Sequence, residues 1–583
     1  MNILYPFIVA VICFVLAYRF YARYIARRLG ENPGRPTPAV VKNDGVDFVP
    51  TRTPVLFAHH YSAIAGAGPI IGPTLGILYG IGPAWLWVVL GGIFFGAVHD
   101  FSALFASIRE EGRSMAEIAR KALGDTGFLM FIIFTSIMLI LVTSAFLSLT
   151  AISLTSVWPI DKLGLEHGQT LLKTRAVNGQ EMGVIGGIAS TSVIIITLMA
   201  PIMGFLIFKK SLRTSLSFLL AALVCFISIY VGFKMPVSMP GLAWMILLSI
   251  YVLLASALPI WLILQPRDFV NVQILYAGIG ITMLSVIIGG INGVTTNVPL
   301  FDLAQGQKQM GPVWPILFII IACGAISGFH ALVAGGTSSK QIARESEARL
   351  IGFGAMLLES LLAVLVILTI GSSLKLSDYM AITWPTQGGG NPILAFSLSV
   401  GNLVHNSLGI SPAMGSIFGI LMVEGFVVTT LDAAVRLNRY LFEEFWRRIF
   451  KTVPALFRHY WFNSGLAVVL MFVLAVTNGY QLIWPVFGAS NQLLAALTLI
   501  AVTAWLNLIG RKSWFTFIPA IFMVVTTIAS LIYYLVTQYI PRLNLILAVT
   551  DIILLFLSFG VIFQSFKKKV FFSKGRTSAA VPS

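Results

Sequence analysis

Between Pro54 and Gly80 the chain is apolar enough to cross a bilayer, yet it interrupts its own helix half-way. The stretch Gly66-Ala67-Gly68-Pro69-Ile70-Ile71-Gly72-Pro73 holds three glycines and two prolines in eight residues. Each proline removes an amide donor and presses its ring on the preceding turn, so no smooth helix runs through. In hydrocarbon an unpaired backbone group costs several kcal/mol, and such a break survives only against protein or a wet cavity. A discontinuous helix at bilayer depth is the best pointer a sequence offers to a site at which something is bound and moved.

The composition agrees with a membrane setting. Of 583 residues 57% are hydrophobic and 10% charged, with a mean hydropathy of +0.91, whereas soluble domains carry about 25% charged residues. No stretch free of apolar spans exceeds about forty residues, too short for a soluble domain of roughly 100. Cys13, Cys225 and Cys323 all fall inside apolar spans, with neither metal spacing nor a disulfide framework. The segment Asn2 to Ala17 has no leading basic region and no small-residue cleavage site, so it reads as a retained helix.

Spans of about 20 residues fall near 2–20, 54–80, 84–108, 128–153, 185–208, 213–233, 242–264, 271–291, 313–337, 350–371, 412–435, 461–477, 480–506, 515–537 and 543–566, which makes about fifteen. The net charge of +16 is not spread evenly. Basic residues gather in the odd-numbered connections, from Arg19–Arg52 and Arg109–Lys121 to Arg436–Arg458 and Lys567-Lys568-Lys569. That alternation predicts an external N-terminus and a cytoplasmic C-terminus. It also turns the basic charge toward lipid rather than nucleic acid. The stretch 391–405 reads as a re-entrant segment, and 154–184 as a solvated loop. Ser114–Leu123 and Leu437–Phe450 read as amphipathic interfacial helices. The expected organisation is an N-terminal helix and basic loop at 1–53, a transporter-like core at 54–436, an amphipathic segment at 437–460 and accessory helices with a basic tail at 461–583.

Inverted repeats of five helices would put a second broken helix five spans later. That span is 242–264, with Pro259 near its middle, so Ser256 and Pro259 are expected to face Gly66 and Gly68 across one cavity. The amides of Ile70, Ile71 and Gly72 would open a new half-helix, and free first-turn amides at the positive end of a dipole suit a carboxylate. The carbonyls from Ala63 to Gly66 suit a cation. Thr337, Ser338 and Ser339 cluster hydroxyls fit for sodium, or else bond back to their own helix.

Ionisable residues inside spans are His59, His60, His99, Asp100, His330, Glu359, Glu424, Asp432 and Asp551. Each costs about 2.5–3.5 kcal/mol at a helix centre and needs a partner or a wet cavity. His59, His60, His99, Asp100, His330, Glu359 and Glu424 are the candidates for proton coupling, since histidine titrates near neutral pH. The histidines offer no metal spacing. Asn491-Gln492 is a polar patch suited to interhelical hydrogen bonding. No Gly-x-x-x-x-Gly-Lys-Ser/Thr loop is present, which argues against ATP-driven transport.

Gly-Pro-Ile-Ile-Gly-Pro at 68–73, His99-Asp100, Leu264-Gln265-Pro266-Arg267-Asp268, Gly328-Phe329-His330-Ala331-Leu332-Val333, Gly336-Thr337-Ser338-Ser339-Lys340 and Phe487-Gly488-Ala489-Ser490-Asn491-Gln492-Leu493 together resemble the carbon starvation protein A family. The resemblance runs from Arg35-Pro36-Thr37-Pro38-Ala39 to about residue 510. It implies an all-α, multi-pass transporter of the bacterial or archaeal inner membrane with a five-plus-five inverted-repeat core. Such proteins are induced on nutrient limitation and take up peptides or, in some members, pyruvate with protons. The resemblance also implies a sodium ion between the first and eighth core helices, here the Ala63 and Gly66 carbonyls with Thr337, Ser338 or Ser339. No other cofactor, no enzymatic activity and no nucleic-acid partner is expected; the partners are the substrate and membrane lipid. Two other classes use intramembrane acids and histidines: an ion-translocating subunit of a redox complex, and a nutrient sensor signalling through 436–460.

Overall fold

The computed structural model describes residues 1–567, apart from 46, 178, 211 and 386–389 and the side chains of 122, 123 and 426. Lys568 and Lys569 of the basic tail lie outside the described residues.

A chain this apolar closes its backbone hydrogen bonds within helices, because lipid offers none. In order come α1 (Leu4–Leu29), the half-helices α2 (Thr53–Ile64) and α3 (Gly68–Gly76), α4 (Ile81–Arg109) and α5 (Met115–Leu154). Next are α6 (Gly186–Lys209), α7 (Thr214–Lys234), α8 (Gly241–Ala257) and α9 (Leu264–Ile291). A second pair of half-helices follows, α10 (Val313–Ile320) and α11 (Gly328–Gly336), then α12 (Glu345–Ser373), α13 (Pro392–Leu408) and α14 (Pro412–Ile449). The last are α15 (Tyr460–Thr477), α16 (Tyr480–Leu508), α17 (Trp514–Tyr539) and α18 (Leu545–Lys567). Among the described residues twelve helices are long and apolar enough to span a membrane, thirteen if α2 and α3 count as one bent span. The two further spans in the expected fifteen are the 17-residue α8 and the interrupted α10/α11, so length and apolarity do not establish that number.

The odd connections contact one another, and so do the even ones. On one face Lys42 pairs with Glu111 at 2.8 Å, Arg109 with Glu345 at 2.7 Å, and the Trp505 indole donates to Glu110 at 2.9 Å. On the other, Lys162 pairs with Asp378 at 2.7 Å, Asn391 donates to Ser156 at 2.9 Å and Asn544 to Asn478 at 3.2 Å. We call these the basic face and the opposite face. The helix α13 keeps this parity. Asn391, just before it, bonds the end of α5, and its Asn402 donates to Ser373 at the end of α12, both at the opposite face. The helix packs antiparallel on α14, with Ser397 against Gly419 and Gly401 against Gly415.

Two local expectations change. The loop 154–184 carries a small antiparallel sheet, β1 (Val157–Pro159), β2 (Thr174–Val177) and β3 (Gln180–Val184), in the order β1-β3-β2, with Trp158 opposite Gly183 and Arg175 opposite Met182. The segment Leu437–Phe450 is not a separate interfacial helix, because α14 runs unbroken through Ile449. Ser114–Leu123 does turn away from its span, at Gly124 (φ 79°, ψ −176°), a conformation open to glycine alone at little cost.

The membrane core is five helices answered by five in inverted order. The first set is α2/α3, α4, α5, α8 and α9; the second is α10/α11, α12, α14, α15 and α16. The correspondence is read from packing: α5 lies along α14 and α16, as α14 lies along α5 and α9, while α8 and α15 meet each other and both long helices. The hairpin α6–α7 is inserted between the third and fourth members. That insertion moves the second break from the sixth consecutive span to the eighth, and carries the second set to Leu508 rather than to residue 436.

Candidate functional site

The two broken helices cross at their breaks. The halves α2 and α3 bend by 43°. A Cβ on Gly72 would lie 2.7 Å from the Ile320 carbonyl oxygen, and one on Gly68 would collide with Cys323. Gly324 in turn faces Pro69. Glycine is required here because backbone meets backbone, and every residue from His59 to Gly76 is buried. Gly66 faces Thr430 of α14 and Phe146 of α5.

The expected partner at Pro259 is corrected by this geometry. Pro259 sits in an exposed turn between α8 and α9. The carbonyls of Ala255 and Leu258 that end α8 there are held by the Arg436 guanidinium, and the Ser256 hydroxyl bonds back to Leu253. The anion cradle also moves. Ile70 and Ile71 both donate to the Ala67 carbonyl, at 3.2 and 2.9 Å, because the new half-helix begins at Gly68. Gly68 is therefore the first-turn residue with an amide to offer.

Around the second break the buried titratable groups form a chain. Asp100 Oδ1 faces His99 Nδ1 at 2.7 Å and Asp100 Oδ2 faces His330 Nδ1 at 2.7 Å. The far nitrogen of His330, Nε2, lies 3.3 Å from Glu359 Oε2. A carboxylate that accepts from both imidazoles puts a proton on each Nδ1. His330 Nε2 and Glu359 Oε2 face each other at 3.3 Å without a hydrogen bond between them. The four residues come from α4, α11 and α12, and none is more than 1% exposed. His60 Nδ1 meets Ser338 Oγ at 2.7 Å, and His59 Nδ1 meets Asp268 Oδ2 at 2.9 Å. Glu424 lies apart from this chain on α14, buried and facing Ser153 of α5.

The hydroxyls do not gather on the first break's carbonyls. Thr337 bonds back to Val333, Ser338 reaches His60, and Ser339 pairs with Ser107 at 2.9 Å. The hydroxyl that reaches Ala63 O, at 3.3 Å, is that of Thr430 on α14. Asn491 ties α16 to the second break, accepting from the Phe329 amide at 2.9 Å and donating to Ser327 at 3.0 Å.

Sequence reading missed a second buried centre. Arg267 donates to Asp432 at 2.6 Å and to Tyr251 at 2.9 Å, and Tyr251 donates to Asp432 at 2.7 Å. Arg267 and Asp268 looked like a loop because the apolar run begins near 271, yet α9 starts at Leu264 and buries both. The signal was present: a Gln-Pro-Arg-Asp run at a span's rim is a helix start carrying charge inward. Removing one member strands a buried charge, so Asp432→Asn is expected to cost about 3–5 kcal/mol and lower the melting temperature in detergent. Replacing both, as Arg267→Met with Asp432→Leu, is expected to recover most of that loss; equal destabilisation in the double variant would show the pair itself to be needed.

Two cavities approach the breaks from opposite faces. One of about 440 Å³ opens on the basic face past Lys42 and Glu111 and ends at Leu332 and Gly335 of α11. At its rim the Lys42 ammonium bonded to Glu111 holds that carboxyl below its ordinary range. The other, about 460 Å³, opens on the opposite face past Lys308 and Arg542 and ends at Leu75 and Ile320. Among the described residues no cluster of histidine, cysteine and acidic side chains fit to hold a metal ion is found.

A model of the family described as carbon starvation protein CstA matches residues 2–391 and 386–530. A peptide transporter CstA of Campylobacter jejuni is 30% identical, over 90% of this chain and 79% of the relative. The pyruvate/proton symporter BtsT of Escherichia coli is 28% identical, over 90% of this chain and 81% of the relative. Among solved structures, a manganese transporter of Eremococcus coleocola aligns with a TM-score of 0.49 at 11% identity, over 90% of this chain and 99% of that one.

Proposed function

This chain belongs to the carbon starvation protein CstA family, and we propose that it is a proton-coupled transporter taking up peptides or small carboxylates such as pyruvate. The observation that carries this reading is the His99–Asp100–His330–Glu359 chain, wrapped on a broken helix between two opposed cavities. A transporter must bind its cargo and its coupling ion at one place that each face can reach in turn. Here the cargo site would lie between the breaks at Ala65–Ala67 and Ile321–Ser327. The substrate carboxylate would take the Gly68 amide, and the proton would ride on Glu359. With the basic face in the cytoplasm, the N-terminus is outside, the C-terminus inside, and uptake runs from the Leu75 cavity to the Leu332 cavity. The membrane is then a bacterial or archaeal inner membrane, and the cargo is scavenged on nutrient limitation.

A sodium ion is the second reading of the coupling, supported by the Thr430 hydroxyl on the Ala63 carbonyl. Purified protein in proteoliposomes distinguishes the two. An inward proton gradient without sodium is expected to drive accumulation of dipeptide or pyruvate. Accumulation that follows only a sodium gradient moves the coupling site to Ala63 and Thr430, and none under either gradient overturns the transporter reading.

A further inference from the structure

The outermost helix, α1, and the outer face of α12 leave a groove of about 530 Å³ between them. Its walls are apolar, from Val11 and Phe14 on one side to Leu358 and Leu361 on the other. Its basic-face end is not. Arg19, Arg23 and Arg349 line the mouth together. Among the described residues none of the three makes a side-chain hydrogen bond or an ion pair; of the acidic groups nearby, Glu31 feels the Arg349 charge, Glu345 is paired with Arg109 and Glu347 accepts from the Arg344 amide. Arg19 and Arg23 are exposed. Gly354 lines the groove, and a Cβ there would lie 3.3 Å from Leu350 and 3.4 Å from Tyr18. Both walls are also wound as π-helical turns at that level, Ala17–Tyr21 and Arg349–Gly354, and such turns concentrate at functional sites.

We propose that this groove is a binding site for an anionic phospholipid of the basic-face leaflet. The dimensions fit one leaflet: Arg349 to Leu361 is twelve residues, about 18 Å at 1.5 Å per residue, against half of a hydrocarbon core of about 30 Å. Three cations without a full set of carboxylates take the phosphate, and the apolar walls take an acyl chain. A zwitterionic lipid brings its own cation to that mouth and gains less from the arginines. Anionic lipid is also what the cytoplasmic leaflet supplies to basic juxtamembrane clusters. The bound chain would lie on the turn of α12 whose other side carries Glu359. The site is independent of which substrate is carried.

The test is native mass spectrometry of the delipidated full-length protein, titrated with phosphatidylglycerol or phosphatidylcholine. Wild type is expected to retain phosphatidylglycerol more strongly, by roughly 10- to 100-fold. The Arg19→Ala, Arg23→Ala, Arg349→Ala triple variant is expected to lose that preference, and the matching triple lysine variant to keep most of it. Gly354→Leu leaves the charges in place and fills the groove, and is expected to lower retention of phosphatidylglycerol as well. An unchanged preference in the triple alanine variant overturns the proposal. So does unchanged retention in Gly354→Leu, or displacement of the lipid by millimolar inorganic phosphate, which would reduce the site to three surface cations.

Discussion

Glu359→Gln is expected to abolish proton-driven accumulation while leaving the folded protein intact. The glutamine keeps the shape of the side chain and removes only its titratable proton. Glu359 is fully buried, and among the described residues its one ion-pair partner within 4 Å is His330, 3.3 Å away. A buried proton carrier with a single exchange partner has no substitute at hand, and losing a positioned proton-transfer group lowers rates by about 10²–10⁴-fold. The measurement is uptake into proteoliposomes under an imposed pH gradient, beside exchange of labelled for unlabelled substrate with no gradient. Gradient-driven uptake should collapse while exchange persists, because exchange needs the cargo site and the rocking motion but no net proton movement. Loss of both would make Glu359 a structural residue, and loss of neither would remove it from the coupling path. His330→Gln should behave in the same way, whereas His59 belongs to the separate contact with Asp268 and should act mainly on stability.

Gly72→Val is expected to eliminate transport by a different route. The new Cβ would sit 2.7 Å from the Ile320 carbonyl oxygen and 3.1 Å from the Ile321 Cα. Both are backbone atoms of the second broken helix, so no rotamer change relieves the clash. Overpacking of this kind costs about 1–3 kcal/mol in a core able to adjust, and two crossed backbones adjust less than side chains do. Uptake should fall at least about tenfold, since 1.4 kcal/mol is already a factor of ten, with a lower melting temperature. Gly280 is the matched control: it too lies in a membrane helix, but a Cβ there meets nothing within 4 Å. Gly280→Val should leave both readouts close to wild type, and equal damage at the two positions would refute the crossing as the cause.

The fold was largely legible because membrane physics leaves few choices. The apolar runs located the helices, and the loop charges sorted them into two faces that the contacts respect. The first break was readable from Gly66 to Pro73 because glycine and proline act locally. The second was not. Between Ile321 and Ser327 there is no proline, and Cys323-Gly324-Ala325 reads as ordinary helix; the interruption is imposed by the glycine face of α3 pressed against it. Proline at 259 drew attention instead, and the inserted α6–α7 hairpin made a count of five arrive at the wrong helix. The titratable residues His99, Asp100, His330 and Glu359 stood out by their cost in lipid, but their connection could not be read, since it joins positions 260 residues apart at its extremes, His99 and Glu359. Thr430 was missed for the same reason: a threonine in a helix carries no signal until its neighbour is known.

The cavities end at Ile320 on one side and at Leu332 on the other, both on the same broken helix. Only residues 321–331 separate them, about 16 Å even at full helical rise, roughly half the hydrocarbon thickness. Salt water filling both cavities would short-circuit the remaining depth, so the membrane voltage would drop across this thin septum rather than across the whole bilayer. His330 lies inside it, with Asp100 and Glu359 on either hand. A charge displaced by a few ångströms there crosses a sizeable share of the potential, which is worth about 2.3 kcal/mol per charge per 100 mV over the full drop. The protein would thus be driven by the electrical part of the proton-motive force as well as by the pH difference.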